Sequence, residues 1–173
     1  MFRAMKRNMQ AMEPQQVQEV LQNGSHGVLA VLGDDGYPYT IPLSYAVAGD
    51  EILFHSAPAG HKLDALRGCD KASFCVVAQD EVVAEKYTTF YRSVVAFGRL
   101  RELTDPAERK QAMWQITDKY SPDEPREKTK ATIDRAMDHM AVLALHIEHV
   151  AGKEAVELSS ARLRRRAAEQ SAD

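Results

Sequence analysis

The sequence predicts a mainly β protein: a small antiparallel barrel with helices at its periphery. Short β-branched runs separated by tight turn sequences fill residues 26–103, a helix-rich stretch follows, and one apolar strand returns near residue 142. A chain of 173 residues is expected to form one domain over 1–173, large enough to bury a core without staples.

The elements follow in order. Pro14 suits a first helical turn, Val17, Val20 and Leu21 form a stripe, and Asn23 with Gly24 stops the helix. The apolar run 26–33 ends at Asp34, Asp35 and Gly36, a strong hairpin signal. From Tyr39 to Val47 the residues alternate: Ile41, Leu43, Tyr45 and Val47 face one way, Thr40, Pro42, Ser44 and Ala46 the other. Pro42 cannot donate into a ladder, so this strand is expected at an edge or a bulge. Residues 51–55 form the third strand, His61 to Arg67 a short helix, and Lys71–Ala78 and Tyr91–Leu103 two more strands around the polar segment 79–89. Pro106 opens a helix that buries Met113, Trp114 and Thr117, and a further helix spans Arg126 to His139. The strand Val142–Val150 is the sixth, and an arginine-rich tail is expected to form a frayed helix.

Composition narrows the function. No apolar run approaches the roughly 20 residues that span a bilayer, and the basic start lacks the apolar stretch of a secretory signal, so a soluble cytoplasmic protein is expected. The net charge of −3 conceals an asymmetry. Residues 1–12 and 159–173 are basic, whereas residues 13–158 carry 15 bases and 23 acids. Such a body is a poor general nucleic-acid binder, because phosphate neutralisation supplies most non-specific affinity.

Few residues carry chemistry. Cys69 and Cys75 have no CxxC spacing, and His146 and His149 fall on opposite faces of a strand, so no metal site is expected. Neither GxGxxG nor GxxxxGK[ST] occurs. The segment Phe54 to Lys62 stands out. A strand ends, a small-residue loop follows, and a helix opens with His61 and Lys62. Helix N-termini favour anions, Lys62 adds a full charge, and Ser56 and His61 add donors, so this is a candidate phosphate site. The alternative is a plain helix cap with a surface lysine. Tyr87 to Ser93 is the second feature, with aromatic side chains and the cation Arg92; a solvated strand edge is its bland reading.

Several runs taken together, Gly27–Ala30, Asp35–Tyr45, Phe54–Ala57 and Gly60–Asp64, then Glu85–Val94 and Ile147–Lys153, resemble the pyridoxamine 5′-phosphate oxidase-like flavoproteins, and most closely their nitroimidazole-resistance (Nim-type) branch. The resemblance covers residues 24–154 and implies a six-stranded antiparallel split β-barrel that forms a homodimer, with FMN bound at the subunit interface. It implies that Thr40, Ile41, Pro42, Leu43 and Ser44 lie along the flavin ring. It places His55, Ser56, Ala57, His61 and Lys62 around the ribityl phosphate, with Arg92 and Ser93 approaching the flavin as well. His55, near the strand end, is the candidate catalytic residue, as a donor to the cofactor or as a proton source, since histidine titrates near neutral pH; a buried, satisfied histidine is its bland reading.

The chain departs from true pyridoxamine-phosphate oxidases. It has Thr40–Tyr45 where they carry an Arg-x-x-Leu-Leu-Lys strand, and it lacks their Trp…Arg-Leu-His-Asp-Arg segment, so vitamin B6 synthesis is not expected. The resemblance instead implies an FMN-dependent reductase that takes electrons from a reduced donor such as NAD(P)H and passes them to small electrophiles such as nitroaromatic compounds. Two other readings stand beside it. One is a sensor or carrier that holds flavin or haem without turnover. The other is a nucleic-acid-binding barrel using Arg162, Arg164, Arg165 and Arg166, against which the acidic body argues.

Overall fold

A computed structural model describes residues 1–170; the last three residues of the basic tail 159–173 lie outside the described residues. The strands are β1 (Gly27–Leu32), β2 (Pro38–Leu43), β3 (Ala46–Ala48), β4 (Glu51–Ser56), β5 (Lys71–Val83), β6 (Thr88–Glu102) and β7 (Ala141–Glu154). The helices are α1 (Pro14–Asn23), α2 (His61–Gly68), α3 (Pro106–Tyr120), α4 (Arg126–Ala136) and α5 (Val156–Gln170). The described strands form one sheet in the order β2-β1-β5-β6-β7-β4-β3, so β2 and β3 are its edges. This is the mainly β, antiparallel architecture with peripheral helices that the sequence predicts, with seven strands in place of six.

The extra strand comes from a break in the run Tyr39–Val47. Its two halves are β2 and β3, separated at Ser44 and Tyr45. The Tyr120 hydroxyl, from the end of α3, accepts the Tyr45 N–H at 2.8 Å and lies 2.6 Å from the Ser25 carbonyl and 2.9 Å from that of Tyr45. A side chain thus takes the place of a ladder partner, and the alternation fails there. Tyr45 and Ala46 are both buried, although alternation would put Ala46 outside.

Two compact units partition the chain, with β5, β6 and β7 running from one into the other. The larger contains Ser25–Phe74 and Ala96–Glu148. In it, β1 and β2 pair antiparallel, with Leu29 opposite Ile41. Their turn puts Asp35 at φ 54° and Gly36 at φ 78°. Two consecutive left-handed residues are what a type I′ hairpin turn demands, which accounts for the Asp-Gly sequence. Tyr45 and Phe54 both pack edge-on against Phe74, at 4.8 and 5.0 Å between ring centres. Beneath α3 and α4, Leu53, Leu103, Met113, Ile116 and Ile133 form a second cluster. The buried face of α3 is Ala112, Met113 and Ile116. Trp114 only flanks that cluster and lies under Arg126 at 4.3 Å, and Thr117 returns its hydroxyl to the Met113 carbonyl. Gly98 is obligatory: a Cβ there would stand 1.8 Å from the His146 carbonyl oxygen.

Among the described residues, the smaller unit comprises Met1–Gly24, Cys75–Val95 and residues 149–170. Here the polar segment 79–89 is a hairpin rather than a loop. β5 continues to Val83, a 3-10 turn spans Ala84–Lys86, and Tyr87 at φ 49° turns the chain into β6. Gly152 lets β7 pass close to α1, since a Cβ would lie 2.6 Å from Val17 and 3.0 Å from Met12. The arginine-rich tail forms α5. Arg162 reaches Glu154 at 2.9 Å, Glu13 at 2.9 Å and the Ala11 carbonyl at 2.9 Å. One of the tail's four arginines is therefore engaged inside this unit, and a second, Arg166, lies 3.3 Å from Glu13.

Candidate functional site

The segment 55–62 connects β4 to α2 through Gly60, whose φ of 121° only glycine adopts without strain. Gly60 has no side chain with which to cap the helix, and its carbonyl already accepts from the N–H groups of Leu63 and Asp64. The first turn of α2 therefore starts without a side-chain cap, a donor-rich end open to an anion.

Lys62 lies at this end, half-buried, with no carboxylate partner among the described residues. Burial pulls its pKa below the usual lysine value, because the ammonium has lost hydration without gaining a counter-charge. His55 is lowered as well, first by its surroundings excluding water and then by the Lys62 charge. The residue is nevertheless exposed. At neutral pH it is a neutral donor and acceptor beside a cation. The Ser56 hydroxyl donates to the Ala57 carbonyl at 3.0 Å, and Ala57 is exposed in the loop.

The β1–β2 hairpin adjoins this end. His61 stacks on Tyr39, 4.2 Å between ring centres and 16° between planes, and its Nε2 lies 3.5 Å from Asp34. Thr40 and Pro42 lie on the exposed face of β2, Ile41 and Leu43 on its half-buried face, and Ser44 just beyond the strand. Because β2 is an edge, the outer backbone of 40–43 has no strand partner. The structure thus gathers the α2 start, His55, Ser56 and the edge strand in one unit.

Arg92 and Ser93 belong to the smaller unit. There the Arg92 Nε donates to Glu154 at 3.1 Å, and Arg162 donates to the other oxygen of the same carboxylate. Glu154 is completely buried, so a buried acid is neutralised by two arginines. Sequence reasoning did not single out Glu154. The signal was present in the parity of β7, which buries Gly152 and Glu154 on one face. The two histidines of β7 go separate ways: His146 faces Asp50 at 3.2 Å, and His149 stacks on Phe2.

Whether these residues fit a flavin mononucleotide can be judged from the site itself. A phosphate would supply the charge that Lys62 lacks and acceptors for the uncapped turn, while an edge backbone offers groups to a planar heterocycle. The residues fit. An antiparallel sheet with an anion-ready helix start beside an exposed edge strand makes this a mainly β protein with a candidate phosphate site. The sequence profile of pyridoxamine 5′-phosphate oxidase matches residues 13–154, and the chain belongs to that family.

Solved structures agree on the fold. A candidate 5-nitroimidazole antibiotic resistance protein from Bacteroides thetaiotaomicron is 18% identical, with 83% of this chain and 86% of that chain covered and a TM-score of 0.73. The conserved protein Rv2991 from Mycobacterium tuberculosis is 19% identical over 87% and 90%, with a TM-score of 0.75. The FAD and haem binding protein from Mycobacterium smegmatis is 22% identical over 84% and 73%, with a TM-score of 0.67. No curated protein sequence matches. Among the described residues, no helix is long and apolar enough to cross a membrane.

Proposed function

We propose that the protein is an FMN-dependent reductase that transfers electrons from a donor such as NAD(P)H to small electrophiles such as nitroaromatic compounds. The observation that carries this reading is the uncompensated, half-buried Lys62 ammonium at an uncapped helix start, beside an exposed edge strand, in a chain of a flavin-binding family. The flavin, when bound, supplies the hydride and electron chemistry. Lys62 and Ser56 hold the phosphate, the α2 backbone adds donors, and the loop at Ala57 leaves room for the group to enter. Residues 40–44 support the ring along the strand edge. His55, neutral beside Lys62, donates a hydrogen bond to the cofactor; to deliver a proton to the reduced substrate it must first take one up, which its lowered pKa disfavours at neutral pH. Arg92 and Ser93 approach the flavin from a second copy of the chain.

A second copy of the chain completes the site in this reading. Val28 and Leu32, 37% and 47% exposed, form an outward apolar face with Pro38 and Pro42, which lie opposite them in the ladder. A carrier that holds flavin or haem without turnover is the competing reading, favoured by the likeness to the M. smegmatis protein.

Lys62→Ala removes a charge-assisted contact worth about 1.5–3 kcal/mol, which is roughly a 10- to 100-fold loss of FMN affinity. Unchanged flavin retention in that variant refutes the phosphate assignment. Bound flavin that NAD(P)H and nitroaromatics never cycle would favour the carrier.

A further inference from the structure

We infer that His61 is a positioning residue, a wedge that fixes the edge strand β2 against the start of α2 and so sets the gap between the two parts of the flavin cradle. The inference rests on the flavin reading but gives His61 a task other than touching phosphate.

His61 is the first residue of α2, but its ring lies back on the β1–β2 hairpin. Tyr39 stacks on it, 4.2 Å between ring centres, and Asp34 lies 3.5 Å from Nε2. Gly33 makes the slot possible. A Cβ there would stand 3.3 Å from His61 Nε2 and 3.0 Å from the Tyr39 Cβ, so any larger residue would crowd the His61 ring and the base of the Tyr39 side chain. The gripped turn is closed on itself, since the Gly33 N–H donates to the Tyr37 carbonyl at 2.8 Å and the Tyr37 N–H to that of Asp34 at 3.0 Å. His61 therefore holds a small rigid body.

Two consequences follow from where that body leads. It runs directly into β2, which has β1 on one side and no strand on the other, so the His61 clip is a second constraint on its placement. On the other side of His61, one peptide away, is Lys62. A single residue thus fixes the strand edge that supports the flavin ring relative to the cation that faces the phosphate.

Titrations of the 173-residue chain with FMN and with riboflavin, which has no phosphate, separate the roles. Lys62→Ala is expected to weaken FMN at least tenfold and leave riboflavin unchanged. His61→Ala is expected to weaken both ligands alike, by about 3- to 10-fold. His61→Phe, which keeps a ring against Tyr39, restores both. At saturating FMN, the visible circular dichroism of the bound flavin changes in His61→Ala and not in Lys62→Ala. A loss confined to FMN in His61→Ala, or an unchanged flavin spectrum, overturns the wedge and returns His61 to the phosphate. Failure of Lys62→Ala to separate the two ligands refutes the phosphate reading instead, a result distinct from either.

Discussion

His55 stands one residue from the end of β4, exposed and held beside the Lys62 ammonium, which has no carboxylate partner among the described residues. Its folded pKa lies below its unfolded one, so on acidification the unfolded chain takes up this proton first. The neutral form's stability is therefore complete above the ordinary histidine range, about pH 6.5, and declines as pH falls through it. Thermal melts of the ligand-free protein between pH 7.5 and 5.5 are expected to show a falling midpoint, with a shallower fall in His55→Asn. A fall of equal steepness in that variant would remove His55 as its source. At this scale the local part of the site was legible, because residues 55–62 are contiguous and their chemistry needs only short-range geometry. The Tyr39 and Asp34 partners of His61 were not, since their approach depends on how the hairpin packs.

The break between β2 and β3 shows what an element can conceal. Alternation reads Tyr39–Val47 as one strand, and nothing within those nine residues signals otherwise. The interruption is supplied by a hydroxyl 75 residues further on, which takes over the backbone pairing of Tyr45. Tyr45 answers with its own environment: its ring is buried under Lys119 Nζ at 3.9 Å, and burial, then Tyr120, push its hydroxyl pKa far up. That ammonium nitrogen is itself buried with no hydrogen-bond partner among the described residues. Tyr120→Phe deletes the hydroxyl and leaves a buried N–H unsatisfied, a cost of about 1–3 kcal/mol in chemical denaturation. Faster hydrogen exchange at the Tyr45 amide is expected with it. Stability equal to wild type would mean that water replaces the hydroxyl without loss. The hairpin of β1 and β2, by contrast, was readable, because Asp35 and Gly36 announce their turn type in sequence.

For the molecule as a whole, the fold class was legible and the strand count was not. Turn chemistry and β-branched runs report on neighbours in sequence, which suffices for an antiparallel meander. The sheet order places β4 beside β7, and that pairing joins residues some 90 apart, such as Phe54 and Leu143, for which local sequence carries no signal. Assembly is the property at this scale still open to experiment. If Val28 and Leu32 face a second copy, sedimentation of the wild-type chain gives a dimer, and Val28→Glu with Leu32→Glu gives a monomer with weakened FMN binding. A monomeric wild type that retains flavin would refute the shared site.

The cluster around Glu154 has a further consequence, for the order of synthesis. Arg162 bonds to Glu13 and Ala11, 149 and 151 residues earlier. A ribosome releases the earlier partners long before the arginine exists, so the buried carboxylate of Glu154 must wait with Arg92 alone until α5 emerges. Closing so wide a span is slow compared with forming a hairpin. A chain stalled before residue 162 therefore lacks one of the two arginines that meet the Glu154 carboxylate.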